Sequence, residues 1–198
     1  GIYLDHNATT PLKPQARAAM LDVMDFPGNA SAIHKAGRSA RKILEDARAV
    51  VVSTLGLGAR DIVVFTSGAT EANNIALRGA GVERLIVSAI EHPSVLQTAR
   101  ASGLAVDIIP VHADGLIDVA ALEDLLNGNT RQTLISTMLV NNETGVIQPI
   151  EKVVALARTY GALVHTDAVQ AIGRIPVNVQ KLGVDFLSLS AHKIGGPQ

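Results

Sequence analysis

Apolar residues recur along this chain in two rhythms. Over residues 39–55 they fall three and four apart, at Ile43, Leu44, Ala47, Val50, Val51 and Leu55, which predicts a helix that Ser39 can cap and Gly56 can end. Helices are likewise predicted over 14–24, 69–79, 93–101, 118–126 and 149–160. Between them lie short strand-like runs: "IVVFTS" (62–67), "LIVSAI" (85–90), "VDIIPV" (106–111), "TLISTMLV" (133–140), "ALVHTDA" (162–168) and "FLSLSA" (186–191). Several are almost continuously apolar, as strands covered on both faces are. Pro110 has no N–H to give a ladder, so 106–111 belongs at a sheet edge or ends early. Strands alternating with helices predict an α/β fold, a mostly parallel sheet with helices on both faces. An N-terminal arm (1–13) precedes one domain that takes up the rest of the chain (14–198).

Composition adds little and excludes much. Of the 198 residues, 47% are hydrophobic and 18% charged, enough apolar material for a core and too much for disorder. Seventeen Lys and Arg against 18 Asp and Glu leave a net charge of −1, with no basic stripe for nucleic acid. No apolar run reaches the ~18 residues of a membrane span. The opening "GIYLDHNATTPL" lacks the features of a secretory signal, so a cytoplasmic protein is expected. The chain contains no cysteine, which excludes disulfides and thiolate metal sites within it.

In parallel sheets, ligands bind beyond the carboxyl ends of the strands. That rule selects "TSGATEANN" (66–74), "SAIEHPS" (88–94), "LVNNETG" (139–145), "HTDAVQ" (165–170) and "SLSAHK" (188–193). In the first, Gly68, Ala69 and Thr70 stand at a strand-to-helix turn, where free backbone N–H groups and the helix dipole attract anions. The same residues suit simple capping, with Ser67 or Thr70 working with Glu71. The loop is neither a Walker loop nor a dinucleotide loop, because the required lysine and third glycine are missing. Asp167 ends a buried strand, where a carboxylate needs a cation or hydrogen-bond donors, and Gln170 follows it. It suits either a turn cap or a partner for a cationic ring nitrogen. Lys193 follows Ser190 and His192 after an apolar run. It reads as a solvated surface lysine, or as a partly desolvated amine able to attack an aldehyde. His92 precedes Pro93 at a helix start and is a natural proton carrier. No second histidine lies at metal-ligand spacing, so no metal is expected. Taken together, an anion cradle, a buried acid, a histidine and a terminal lysine are what pyridoxal 5′-phosphate requires.

Seven stretches carry a family likeness: "YLDHNATTPL", "GNASAIHKAGRSAR", "FTSGATEANNIAL", "EHPSV", "VNNETGVIQPI", "HTDAVQAIG" and "SLSAHKIGGPQ". In this order and spacing the chain resembles the cysteine desulfurases of the NifS/IscS group, within the class-V aminotransferase family and its fold-type-I, PLP-dependent transferase architecture. The resemblance implies that Lys193 carries pyridoxal 5′-phosphate and that His92 stacks on its ring and moves protons. Asp167 would pair with the ring nitrogen and Gln170 with the ring hydroxyl. Ala69, Thr70, Ser190 and His192 would hold the phosphate, with Ala191 lining the same site and Asn142 near the substrate carboxylate. The implied reaction converts L-cysteine to L-alanine and an enzyme persulfide that supplies sulfur for iron–sulfur cluster assembly. The implied partners are a sulfur-acceptor or scaffold protein and a second copy of the chain, as a homodimer.

Two departures stand out. "GNASAIH" has Ala30 and Ala32 where the family usually has Pro and Ser, a change expected to be tolerated. More important, the family's nucleophilic cysteine and substrate-clamping arginine lie far downstream of the lysine. The expectation is an incomplete large domain, without the small C-terminal domain and inactive alone. The competing readings are another class-V enzyme, such as a selenocysteine lyase or small-amino-acid aminotransferase, or a non-catalytic fragment that binds the cofactor.

Overall fold

A computed structural model describes residues 1–197; Gln198, the last residue of the expected domain, lies outside them. Each apolar run that has a neighbour becomes a strand. The elements, in order, are α1 (Pro14–Met24), α2 (Lys35–Leu55), α3 (Ala69–Gly79), β1 (Arg84–Ser88), α4 (Pro93–Arg100), β2 (Ala105–Ile109), α5 (Val119–Leu126), β3 (Thr133–Ser136), α6 (Ile150–Thr159), β4 (Leu163–Asp167), α7 (Val179–Leu182) and β5 (Phe186–Ser188). A single 3-10 turn, Ala191–Lys193, follows β5.

The five strands form one sheet in the order β2-β1-β3-β4-β5, and every pairing is parallel. Period-two alternation sends successive side chains to opposite faces. Leu85, Val87 and Leu134 pack with Leu77 and Ala76 of α3 and Val95 and Ala99 of α4. Ile86, Ile135 and Val164 face the other way, against Leu122 and Leu126 of α5 and Val153 and Ala157 of α6. The α/β architecture with both sheet faces covered is therefore present. β2 lies at the edge and stops at Ile109, one residue before Pro110, as the missing N–H requires.

Three expectations need correction. Residues 62–67 form no strand: the chain there joins no ladder, and Ile62 and Val64 are 84% and 65% exposed. An apolar run encodes the capacity to be buried, but only a neighbouring backbone makes it a strand. Instead the Arg48 guanidinium donates to Val63 O and lies 5.0 Å from the Phe65 ring centroid. Second, α2 begins at Lys35, with His34 rather than Ser39 as its cap: His34 Nδ1 accepts from Gly37 N at 3.3 Å. Its other end is as expected, at Gly56 with φ 63°. Third, the run 133–140 is strand only to Ser136. Beyond that, Thr137 N and Leu139 N still donate to His165 O and Asp167 O, so the chain follows β4 into the loop region.

The helix pair at the start stands apart from the sheet layers. α1 buries no residue and α2 buries only Gly37 and Leu55.

Candidate functional site

The carboxyl ends of β1, β3, β4 and β5 gather the polar loops, as a parallel sheet dictates. Asp167 is the last residue of β4 and is 5% exposed. Both of its oxygens are engaged: Oδ2 accepts from Asn73 Nδ2 at 2.9 Å and Oδ1 from Val169 N at 3.0 Å. A carboxylate can accept about four hydrogen bonds, so capacity remains for one more cationic or N–H partner.

Asn73 lies on α3 and is fully buried. The same Nδ2 also donates to Ser94 Oγ at 2.9 Å, and Ser94 Oγ lies 2.8 Å from His92 Nδ1. His92 is the exposed N-cap of α4 and its Nδ1 accepts from Ser94 N at 3.1 Å. A chain of side chains thus joins the acid on β4 to the histidine beyond β1.

Lys193 ends the 3-10 turn after β5 and is half-buried. Its Nζ donates to Asn7 O and, at 2.8 Å, to Ala8 O. Burial, together with the nearby positive charge of Arg174, lowers the pKa of this amine below the usual lysine value; Asp167 and Asp5 oppose the shift. The lowering favours the neutral amine. Gly195 turns the chain just beyond, at φ 85°, and its carbonyl accepts from Lys13 N.

The arm is strapped across this end of the sheet through Asn7. Its carbonyl also accepts from Gln170 Nε2 at 2.9 Å, its Oδ1 accepts from Arg174 Nη1 at 2.5 Å, and its Nδ2 donates to Asn142 O at 3.0 Å. Arg174 also donates to Gln170 Oε1 and His6 O. His192 Nδ1 lies 3.1 Å from Thr9 Oγ1. Burial, with Lys193 close by, lowers the His192 pKa.

The start of α3 supplies the anion-type feature. Gly68 is its N-cap, with no side-chain cap, and a Cβ built there meets nothing within 4 Å. The helix therefore starts without a side-chain cap, beside room for a further group. The capping reading holds only in part: Glu71 accepts from Ser67 N at 2.6 Å, a bond that lowers its pKa, but neither Ser67 nor Thr70 caps the helix with its side chain. α3 packs against β4 and β5, so its start lies on the same sheet as the strand that leads to Ser190, Ala191 and His192. Exposed hydroxyl and amide donors at a helix start, a buried carboxylate with spare capacity and a half-buried amine fit an anionic, cationic-ring aldehyde such as pyridoxal 5′-phosphate. Hollows lined by Arg84 and Asn129, and by Arg48 and Phe65, include none of these site residues.

Sequence reasoning missed Asn73, Ser94, Asn7 and Arg174. Asn73 had a signal: it sits on the stripe continued by Ala76, Leu77 and Ala80, and a polar group on a core-facing stripe needs a partner. Asn7 had none, because its partners lie up to 186 residues away.

The family model described as "Aminotransferase class-V" matches residues 2–198. The chain is 41% identical over 207 residues to a cysteine desulfurase IscS of Dictyoglomus turgidum, covering 100% of this chain and 52% of that protein. It is 42% identical over 208 residues to a cysteine desulfurase of Cereibacter sphaeroides, covering 100% of this chain and 53% of that protein. A NifS-like protein from Rickettsia africae superposes with a TM-score of 0.94 at 38% identity, over 100% of this chain and 56% of that one. A structure described as SspA in complex with cysteine gives a TM-score of 0.90 at 35% identity, over 100% and 59%. The chain spans about half the length of the curated relatives it matches.

Proposed function

Because this chain belongs to the class-V aminotransferase family, we propose that it forms the cofactor-holding part of a pyridoxal 5′-phosphate-dependent cysteine desulfurase. L-cysteine would give up its sulfur and leave as L-alanine. The carrying observation is that a buried acid with spare accepting capacity, Asp167, ends β4, and a half-buried amine, Lys193, stands just beyond the neighbouring β5. When bound, the cofactor ring draws electrons from the bonds at the substrate's α-carbon.

The chain's own residues then have separate tasks. Lys193 supplies the amine that holds the cofactor's aldehyde carbon, and its lowered pKa keeps more of it in the nucleophilic form. Asp167 would partner the ring nitrogen and favour its protonated state. His92 would serve beside the ring and offer its Nε2 edge for proton movement. Gln170 would partner the ring hydroxyl, and Asn142 would serve the substrate carboxylate. Ala69, Thr70, Ser190, Ala191 and His192 would hold the phosphate. The thiol that takes the sulfur lies outside these 198 residues, which contain no cysteine. A homodimer, a sulfur-acceptor protein or iron–sulfur scaffold, and a cytoplasmic setting complete the proposal. No helix among the described residues is long and apolar enough to cross a membrane.

The test uses the full-length protein with pyridoxal 5′-phosphate. A bound-cofactor absorbance band and sulfide release from L-cysteine are expected, both lost in Lys193→Ala. A band that survives the substitution rules Lys193 out as the anchor, and an L-cysteine-inert holoenzyme rules out the activity.

A further inference from the structure

We propose that Asn73 is a positioning residue that fixes two contacts of the site at once: the orientation of the Asp167 carboxylate and the direction of the Ser94 hydroxyl that donates to the His92 ring. The inference rests on the reading above, in which both groups face one cofactor.

The geometry gives each link a direction. Asn73 Nδ2 carries two hydrogens, one for Asp167 Oδ2 at 2.9 Å and one for Ser94 Oγ at 2.9 Å. The carboxylate can only accept, which sets the amide's orientation and leaves its Oδ1 without a partner, buried. That orphan is a cost the amide bears to keep both donors pointing at the site. With Ser94 Oγ accepting from Asn73, the hydroxyl hydrogen is released toward His92 Nδ1, 2.8 Å away. The same Nδ1 already accepts from Ser94 N. Two donors converge on Nδ1, so the ring proton resides on Nε2, at the exposed edge of the histidine. The ring is thus presented with Nε2–H outward. A shift of Asn73 would free Asp167 Oδ2 and the Ser94 hydroxyl together.

The two ends of this chain are otherwise held separately. Asp167 is fixed by its strand and by Val169 N, and His92 by the start of α4. Neither anchor determines the direction of the Ser94 hydroxyl; the Asn73 amide does.

The experiment is imidazole 15N spectroscopy of the full-length protein, with His92 identified by loss of its signals in His92→Gln. In the cofactor-free wild type, Nδ1 is expected at an unprotonated, pyridine-type shift and Nε2 at a protonated one. Asn73→Ala is expected to move Nδ1 further toward the unbonded pyridine-type position, because the freed Ser94 hydroxyl no longer has to donate to it, while Ser94 N keeps the ring proton on Nε2. The signals of His165, buried between Ser136 and Ser188, report whether the fold is intact. If Asn73→Ala does not fold, Ser94→Ala breaks the chain one atom later and carries the same expectation. A protonated Nδ1 in the wild type overturns the proposal, as does a His92 spectrum unchanged by a folded Asn73→Ala or Ser94→Ala. With cofactor added, Asn73→Ala is expected to shift the absorbance band's pH midpoint while Lys193 still binds. An absent band in wild type would instead sink the cofactor reading and leave the histidine result standing.

Discussion

At the scale of single residues, the site depends on how much of each polar group is already committed. Lys193 is held by two backbone carbonyls of the arm, and its pKa is lowered by burial first and by Arg174 second. Replacing Arg174 with Gln removes that positive charge and two of the bonds that hold the arm. The Lys193 titration midpoint is therefore expected to rise, measured by NMR of reductively methylated lysines across pH. An unchanged or lower midpoint would refute the assignment. Gly195→Ala tests the turn beyond the lysine: at φ 85° a side chain costs about 1–2 kcal/mol, and its Cβ would lie 2.6 Å from Lys13 Cγ. A lower urea midpoint is expected. The sequence made Asp167, Lys193 and His92 legible because each breaks an apolar run or opens a helix. It hid Asn7, whose role is written in carbonyl positions that no residue type announces.

At the scale of elements, burial decides what pattern alone cannot. Leu77 on α3 is fully buried between the helix and the sheet. Leu77→Ala is expected to cost about 2–5 kcal/mol in denaturant unfolding, because the sheet beneath cannot collapse into the gap. Val50→Ala on α2, at a position 63% exposed, is expected to change stability by no more than about 0.5 kcal/mol. Five strand runs were read correctly in place, with ends one to four residues too generous, because apolar residues continue into loops that follow the neighbouring strand without forming a ladder. The sixth, 62–67, has the composition of a strand and no partner among the described residues. Pairing is a property of two segments, so a single segment's pattern cannot guarantee it.

At the scale of the whole molecule, two buried titratable groups shape stability in opposite directions. Glu91 is 5% exposed, accepts from Met138 N and the Ser88 hydroxyl, and leaves Oε2 unpartnered; burial raises its pKa from 4.5 to about 8. The unfolded chain releases that proton near pH 4.5 and the folded one holds it to about 8, so stability falls as pH rises through this window. His165 is fully buried and burial lowers its pKa from 6.5 to about 3, so stability is lost as pH falls from 6.5 toward 3. The two slopes oppose each other between 4.5 and 6.5, which predicts a plateau there. Urea midpoints across pH should show the alkaline decline above 6.5 flattened in Glu91→Gln; a decline of unchanged steepness would contradict this account. The sequence alone determined the alternation of strand and helix, that 106–111 lies at an edge or ends early, and the ends of strands at which polar residues collect. These are local: hydrophobic period and proline chemistry act over a few positions. Only the tertiary structure decided which polar groups meet, that Asn73 lies between Asp167 and Ser94 and that the arm's carbonyls receive Lys193. Those contacts join residues from 21 to 186 positions apart, and their geometry exists only once the sheet has set its strands side by side.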